Sequence, residues 1–517
     1  MRRAQQWFIQ RCVYSDALRV NSKSMIAGTF SGIEQSALPR SVDLVVAHGY
    51  VVTMDAMRTV FADGAIAISG REIVAVGPTA KICAEFVAAR VIDAAGGVVH
   101  PGFVECHTHV TYHIARGAFG DTVSYAELGP TTELAFVNAI DDDAEHASTL
   151  LACFEMVGNG TTCFIEAGTA YSPGAVADAA IAFGMRGLVA DPFLWDAAET
   201  PGGFNAYRLE RAPASTERAL RLLGTELKRN VDPHALIGGH IAIAGMGTAT
   251  DELELAAKAA ADAGGTVFNQ HQSYYHVDTE TDDKRHGCHA IVHLEDIGVL
   301  DKNCLFAHMN VIRDDEVAPI VRSGLSIAWC PAGSMLWGVG GTFGGRHAEL
   351  YNRGVNIALG SDSANWANRF DLGLQGYLAV LTAREKFGNR VVLAAEDALA
   401  MATINGAKAI GLDKQIGSLE PGKRADIVIR ANDIAEAFPL TDPISQLVYS
   451  TGSKSVHTVL IDGRVVLDAR RPTRLDAELI FRSVQSSVAR IFDRMGYQFK
   501  PKWAPVDRVL HPFVRKS

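Results

Sequence analysis

The sequence predicts an α/β chain: a (β/α)8 barrel joined to a small composite β-sandwich built from both chain ends. Three observations carry this expectation. The middle of the chain alternates short, almost continuous apolar runs with helical stretches, as a parallel sheet buried on both faces requires. Close-spaced β-rich runs with Gly breaks precede that region and return after it. The 517 residues, 48% hydrophobic and 21% charged, are enough for about three globular domains.

Taken in order, residues 1–40 are expected to be a flexible N-terminal extension; they carry no apolar secretory core, and no function is assigned to them. Residues 41–98 form the first half of the sandwich: the run from Val42 to Asp55 breaks at His48-Gly49, and runs at Gly64–Gly70 and Glu72–Gly77 follow. Residues 99–411 form the barrel. Its clearest helix spans Thr250 to Gly265, where Thr250 can cap, Asp251 and Glu252 suit the positive end of the dipole, and Gly264 can terminate. Another helix is expected over Asp314–Ser323, between the apolar runs ending at His308 and at Cys330. Residues 412–475 return to the β-rich texture, in Ile427–Ile429 and Val456–Val466, and complete the sandwich. Residues 476–517 are a C-terminal helix, Ala477–Arg494, and a tail.

Composition narrows the function. The net charge of −10 argues against a nucleic-acid partner, which needs clustered Lys and Arg. No apolar run reaches about 18 residues, so no membrane partner is expected. The eight cysteines are scattered singly and read as buried free thiols. The expectation is a cytoplasmic enzyme acting on a small molecule.

Barrel chemistry sits at the C-terminal ends of the strands. The residues just past each apolar run form a consistent set. Pro101-Gly-Phe-Val-Glu-Cys-His107-Thr-His109 puts two imidazoles at i and i+2 on one face. Val267 to His271 places a third, Leu305 to His308 a fourth, and Ile357 to Asp362 a carboxylate. Singly, each has a duller reading: a hydrogen-bonded histidine, or a helix-capping aspartate. Together they form a nitrogen and oxygen donor set suited to Zn²⁺, Fe²⁺ or Mn²⁺.

These residues carry a resemblance. With Arg116-Gly117, Gly160-Thr-Thr162, Cys330-Pro331, Ala402-Thr-Ile-Asn-Gly-Ala407, Ile416 to Asp426 and Val459-Leu-Ile-Asp-Gly463, the chain resembles the amidohydrolase superfamily over roughly residues 42–468. The branch it resembles contains triazine chlorohydrolases and cytosine, guanine and adenosine-type deaminases. The resemblance implies a TIM-type barrel and one divalent metal ion per subunit, held by His107, His109, His271 and Asp362. Zn²⁺ is the first expectation, with Fe²⁺ or Mn²⁺ as alternatives. It also implies a homodimer or larger homo-oligomer.

From such a site follows a metal-activated water, with Asp362 as proton acceptor and His308 polarising the attacked centre. The expected function is hydrolysis of a C–N bond, by deamination or amine release, in a cyclic or aromatic nitrogen compound. One departure from the family matters. Deaminases of this branch usually carry Glu three positions after the strand-five His, and here His271 is followed by Gln-Ser-Tyr274. That gap favours the alternative, hydrolysis of an exocyclic amide, urea or carbamate, or dehalogenation. A catalytically dead scaffold is the third reading, disfavoured because all five metal-site positions stand. Glu166 reads as a carboxylate supporting the site, or as the bridge of a two-metal centre. Tyr274, Trp329, Trp337 and Trp366 are candidates for stacking on a flat substrate, together with Tyr275. The Gly338–Gly345 stretch reads as a mobile active-site loop, and the acidic Asp141–Asp143 and Asp282-Asp283 as solvated loop or helix-start charges.

Overall fold

The computed structural model describes residues 38–118, 133–197 and 208–497. Most of the expected N-terminal extension and the end of the C-terminal tail lie outside these residues.

The two chain ends share one sheet. Its first strands are β1 (Arg40–Val52), β2 (Val60–Ser69), β3 (Glu72–Pro78), β4 (Phe86–Asp93) and β5 (Val98–Pro101). The chain then runs through β6 (Phe103–Thr108), helix α1 (Asp142–Gly158), β7 (Thr161–Glu166), β8 (Arg186–Val189), β9 (Ile237–Gly239) and β10 (Ile241–Gly245). Helix α2 (Asp251–Gly264), β11 (Phe268–Gln272), helices α3 (His276–His286) and α4 (Ala290–Asp296), and β12 (Cys304–His308) come next. Helix α5 (Asp314–Ser323), β13 (Ser326–Trp329), β14 (Asn356–Leu359) and helix α6 (Leu372–Phe387) follow. The last elements are β15 (Ile427–Arg430), β16 (Val456–Ile461), β17 (Arg464–Asp468), β18 (Arg471–Pro472) and helix α7 (Ala477–Met495).

The terminal strands form a single nine-stranded sheet in the order β18-β17-β16-β15-β5-β1-β2-β3, with β4 also on β1. The sequence suggested two runs between Val42 and Asp55, and the structure has one long strand there. Its pairing with β2 shifts register around Gly49, and His48 adopts φ 56°. The first half of β1 takes β4 as its parallel neighbour and the second half takes β5. Alternate residues therefore serve two cores: Leu44 and Val46 pack with Ile427 and Leu460, while Val45 and Ala47 pack with Ile82 and Phe86. Because β5 belongs to this sheet, the chain enters the central parallel sheets at Phe103 rather than Val99.

Those central strands form two all-parallel sheets, β6-β7-β8-β9 and β10-β11-β12-β13-β14. The sheets meet at both edges. Between β9 and β10, His240 donates its N–H to Val189 (3.0 Å) while the next amide, Ile241, donates to Val267 (3.2 Å). At the other edge Thr108 forms a parallel bridge with Asp362. Gly360 permits that approach, since a Cβ there would lie 2.7 Å from the Cβ of His107.

Local signals act as their chemistry dictates. Thr250 Oγ1 accepts from the Leu253 N–H (3.3 Å), and α2 ends at Gly265 in the left-handed region (φ 59°), one residue beyond the expected stop. Helix α5 covers the expected span, and α7 runs one residue past its own. Asp141 caps α1 by accepting from the Ala144 N–H (2.9 Å). Asp282 departs from expectation: it is buried in the second half of α3, where burial pushes its carboxyl up to about 6. Of the expected free thiols, all seven in the described residues are unbridged.

A buried ion cluster ties the central sheets to the terminal one. Arg186, on β8, donates to both carboxylate oxygens of Asp426 (2.8 and 3.1 Å) and to Asp462 (3.1 Å). Both aspartates come from the Lys-Arg-Ala-Asp426 and Ile-Asp462-Gly segments, which gives those motifs a structural task. Arg186→Met leaves two buried carboxylates without their main partner, and is expected to cost about 3–5 kcal/mol of stability. A denaturant midpoint equal to the parent's would refute this role.

Candidate metal centre and active site

Five side chains converge where the central strands end. His107 and His109 leave β6, His271 leaves β11, His308 ends β12, and Asp362 follows β14. The His107 ring lies 5.0, 4.7 and 4.7 Å from those of His109, His271 and His308. The Nε2 atoms of His109 and His271 face each other at 3.2 Å, and His109 Nε2 lies 3.5 Å from Asp362 Oδ1. Ligand atoms of His107, His109 and His271 all fall within 4.8 Å of one another.

The outer hydrogen bonds orient these rings. The Thr169 hydroxyl donates to Glu166 Oε1 (3.2 Å), so it accepts from His109 Nδ1 (2.7 Å) and leaves the Nε2 lone pair aimed inward. His271 Nδ1 donates to the Ala244 carbonyl (2.9 Å), with the same result. Burial holds all four histidines below their ordinary range: His271 sits near 4, and His107 also feels the charges of His308, His271 and His109. Neutral rings with lone pairs facing one another across about 3 Å repel unless a cation lies between them. His107 sharpens the point, being fully buried with no hydrogen-bond partner on either ring nitrogen among the described residues. The donor set therefore fits a divalent cation.

Asp362 is 4% exposed; burial, with the charge of Glu133, pushes its carboxyl up to about 7 against the Ser363 N–H that donates to it (2.7 Å). Cys330 approaches His107 and His308, but burial raises its thiol well above the ordinary range and its Sγ donates to the Ala328 carbonyl (3.7 Å). It is a protonated neighbour, unlike a thiolate ligand. Glu166 has both oxygens occupied, Oε2 by the Gly168 N–H and Oε1 by Thr169 and Ala170. It builds the turn that presents Thr169 to His109. Left-handed backbone collects here at Met246, Ser273, His308, Met309 and Asp362, each costing about 1–3 kcal/mol in a non-glycine residue.

The pocket over these groups is lined by His109, Tyr112, Glu133, Met246, His271, Tyr274, His308, Asp362 and Trp366. Tyr274 sets its ring 4.6 Å from His308. Trp366 donates its indole N–H to Glu133 (3.1 Å). Trp337 stands behind it, donating to the Trp366 carbonyl (2.9 Å). Trp329 is placed elsewhere. It stacks on His347 at 4.6 Å, and His347 Nε2 contacts the His308 carbonyl oxygen (2.7 Å), so Trp329 supports the strand end. Tyr275 packs beside the cluster of Met246, Tyr274 and Val339. The Gly338–Gly345 stretch supplies Val339 to that wall and is pinned by the Gly341 N–H on Ser334 Oγ (3.1 Å). Larger concavities lie at the opposite strand ends, around Arg186, Arg229, Lys302 and Lys408, and none of the candidate residues lines them.

Sequence reasoning missed Glu133, Tyr112 and Met246. Glu133 is 2% exposed and immediately precedes a short helix, Leu134–Ala139, and no apolar run in the sequence leads up to it. Tyr112, three residues past His109, stacks parallel to that ring at 5.6 Å; the short spacing was the available signal.

The model of the amidohydrolase family matches residues 98–466. A 5-methylthioadenosine/S-adenosylhomocysteine deaminase of Syntrophobacter fumaroxidans is 28% identical over 445 residues, which is 86% of this chain and 97% of the relative. The zinc-bound crystal structure of an adenosine deaminase from Xanthomonas campestris superposes with a TM-score of 0.81 at 25% identity, covering 88% of this chain and all of that one. An atrazine chlorohydrolase from Arthrobacter aurescens, complexed with zinc and atraton, shares the fold with a TM-score of 0.77 at 22% identity, over 86% of this chain and 100% of its own.

Proposed function

This chain belongs to the amidohydrolase family, in its deaminase and chlorohydrolase branch, and on that premise we propose that it deaminates an adenosine-type aminopurine compound. It is a metal-dependent hydrolase of carbon–nitrogen bonds other than peptide bonds. The observation that carries the reading is the inward-facing set of neutral imidazoles beside Asp362. The substrate class rests on the deaminases to which the chain is similar. The amide, urea or carbamate alternative draws no such support.

In this reading His107, His109, His271 and Asp362 hold one divalent cation per subunit, with zinc first in order. When bound, such an ion lowers the pKa of a water in contact with it toward about 7. Asp362 takes a proton from the attacking water and returns it to the departing amine. His308 steadies negative charge growing at the attacked carbon. Trp366 and Tyr274 wall the substrate and exclude water. Tyr274 stands where the family usually has Glu, and Glu133, which accepts from the Trp366 indole N–H, is the carboxyl besides Asp362 that lines the pocket facing the heterocycle. Glu133→Gln is expected to lower kcat/KM by about 10²-fold, within the range for one positioned acid–base group. Parent-like kinetics would remove Glu133 from substrate handling.

The same reading counts β9 and β10, interrupted only at His240, as one strand and closes the two parallel sheets into one eight-stranded barrel. It keeps the three-part division, with the first boundary moved from residue 98 to Gly102 because β5 belongs to the terminal sheet, together with a homodimer or larger assembly and a cytoplasmic location. Among the described residues no helix is long and apolar enough to cross a membrane. The deciding experiment is a screen of aminopurine nucleosides, aminopyrimidines, aryl amides and ureas with zinc-loaded enzyme. Ammonia from an aminopurine nucleoside is the expected result. Amine or acid from an amide or urea, with no ammonia from any amino-heterocycle, would overturn the proposal.

A further inference from the structure

A second group of metal-ligating side chains stands apart from the active site. Asp251 opens α2, His286 closes α3, and His293 lies on α4. Ligand atoms of the three fall within 4.8 Å of one another. Gly287, in the left-handed region (φ 73°), turns the chain between α3 and α4 so that the two imidazoles meet. Their rings stack at 3.6 Å with planes 20° apart, and His293 Nε2 lies 2.8 Å from Asp251 Oδ1. Asp251 is exposed and the two histidines are half-buried, so an ion has access from solvent.

An ordinary surface ion pair would need only His293 and Asp251, and would contribute about 0–1 kcal/mol. It does not use His286, whose ligand atom also lies within 4.8 Å of those of the other two. Two imidazole nitrogens and one carboxylate, with water completing the shell, match the preferences of Zn²⁺, Ni²⁺ and Cu²⁺. The N-terminal end of α2 at Asp251 and the C-terminal end of α3 at His286 present opposite helix poles there, and Arg285 donates its guanidinium to the Gly247 carbonyl (3.1 Å) while its charge still reaches His286.

We propose that Asp251, His286 and His293 form a second, surface site for a first-row transition cation that fastens α3 to α2 and α4. Helix α3 begins at His276, directly after Tyr274 and Tyr275, so this ion steadies the segment that walls the catalytic pocket. The proposal is independent of the reaction assigned to that pocket.

The test uses full-length protein already carrying its tightly held ion, dialysed to equilibrium against micromolar zinc. The parent is expected to take up one equivalent more than either His286→Gln or His293→Gln. Zinc is also expected to slow amide exchange across residues 276–286 by about tenfold in the parent and to leave the variants unchanged. Equal zinc uptake by the parent and both variants would overturn the site. Should a variant fold poorly, the parent alone decides: exchange over 276–286 that ignores added zinc refutes the proposal.

Discussion

Asp362→Asn is expected to lower kcat by about 10³-fold or more, in line with removing a positioned proton acceptor. The reason lies in what the substitution keeps and what it removes. Asn has the same shape, its carbonyl oxygen can still accept from the Ser363 N–H, and Asn tolerates the left-handed backbone that residue 362 adopts (φ 66°). The bridge between Thr108 and residue 362 uses only backbone. The fold and the three imidazoles at the centre should therefore survive. What disappears is an anionic ligand for the ion and an oxygen that can receive a proton and release it again. A carboxylate beside the attacking water suits the second task because it can take up a proton and give it back. The measurement is kcat for zinc-loaded variant and parent, with zinc content and circular dichroism checked on the same samples. Full turnover in a folded, metal-loaded Asn variant would take Asp362 out of proton transfer.

Much of this candidate site was legible because the residues proposed to face the ion end apolar strands. His107, His109, His271, His308 and Asp362 each follow a run that reads as buried sheet, and the pleat of β6 turns both of its histidines to one side. Helix limits were legible where chemistry marks them, at Thr250 and around Gly265. Other features depend on contacts that no local pattern reports. β1 exchanges its parallel neighbour halfway along, which joins all nine terminal strands into one sheet, and register of that kind is set by distant partners. Glu133 reaches the pocket from outside the central strands, so no apolar run points to it. Trp329 and Trp366 look alike in sequence, both being tryptophans near strand ends. Only the stack on His347 separates the one that props the backbone from the one that walls the pocket. Asp282 carries the polarity of a surface residue and is nevertheless buried, because α3 packs that face inward.

His271→Ala should abolish retention of the tightly held ion, to less than about one-tenth equivalent of zinc after desalting, and with it turnover. His109 and His271 present lone pairs to each other at 3.2 Å, and each is locked in that orientation from behind, by Thr169 and by the Ala244 carbonyl. Folding has organised these donors in advance, so binding releases the conflict. Removing one ring takes away a ligand and relieves the crowding together. Two thermal consequences follow with opposite signs. Metal-free His271→Ala should melt no lower than the metal-free parent, whereas the stabilisation that zinc gives the parent through this centre, about 2.7 kcal/mol at a hundredfold excess over its Kd, should vanish. Thr169→Val provides the graded case. It leaves every ligand in place, frees the His109 ring to turn, and should weaken zinc by about 10–100-fold. A His271→Ala protein that holds its zinc through desalting, or a Thr169→Val protein with parental affinity, would mean that the rings are not organised for an ion. The rest of the chemistry assigned to this pocket would then lose its foundation.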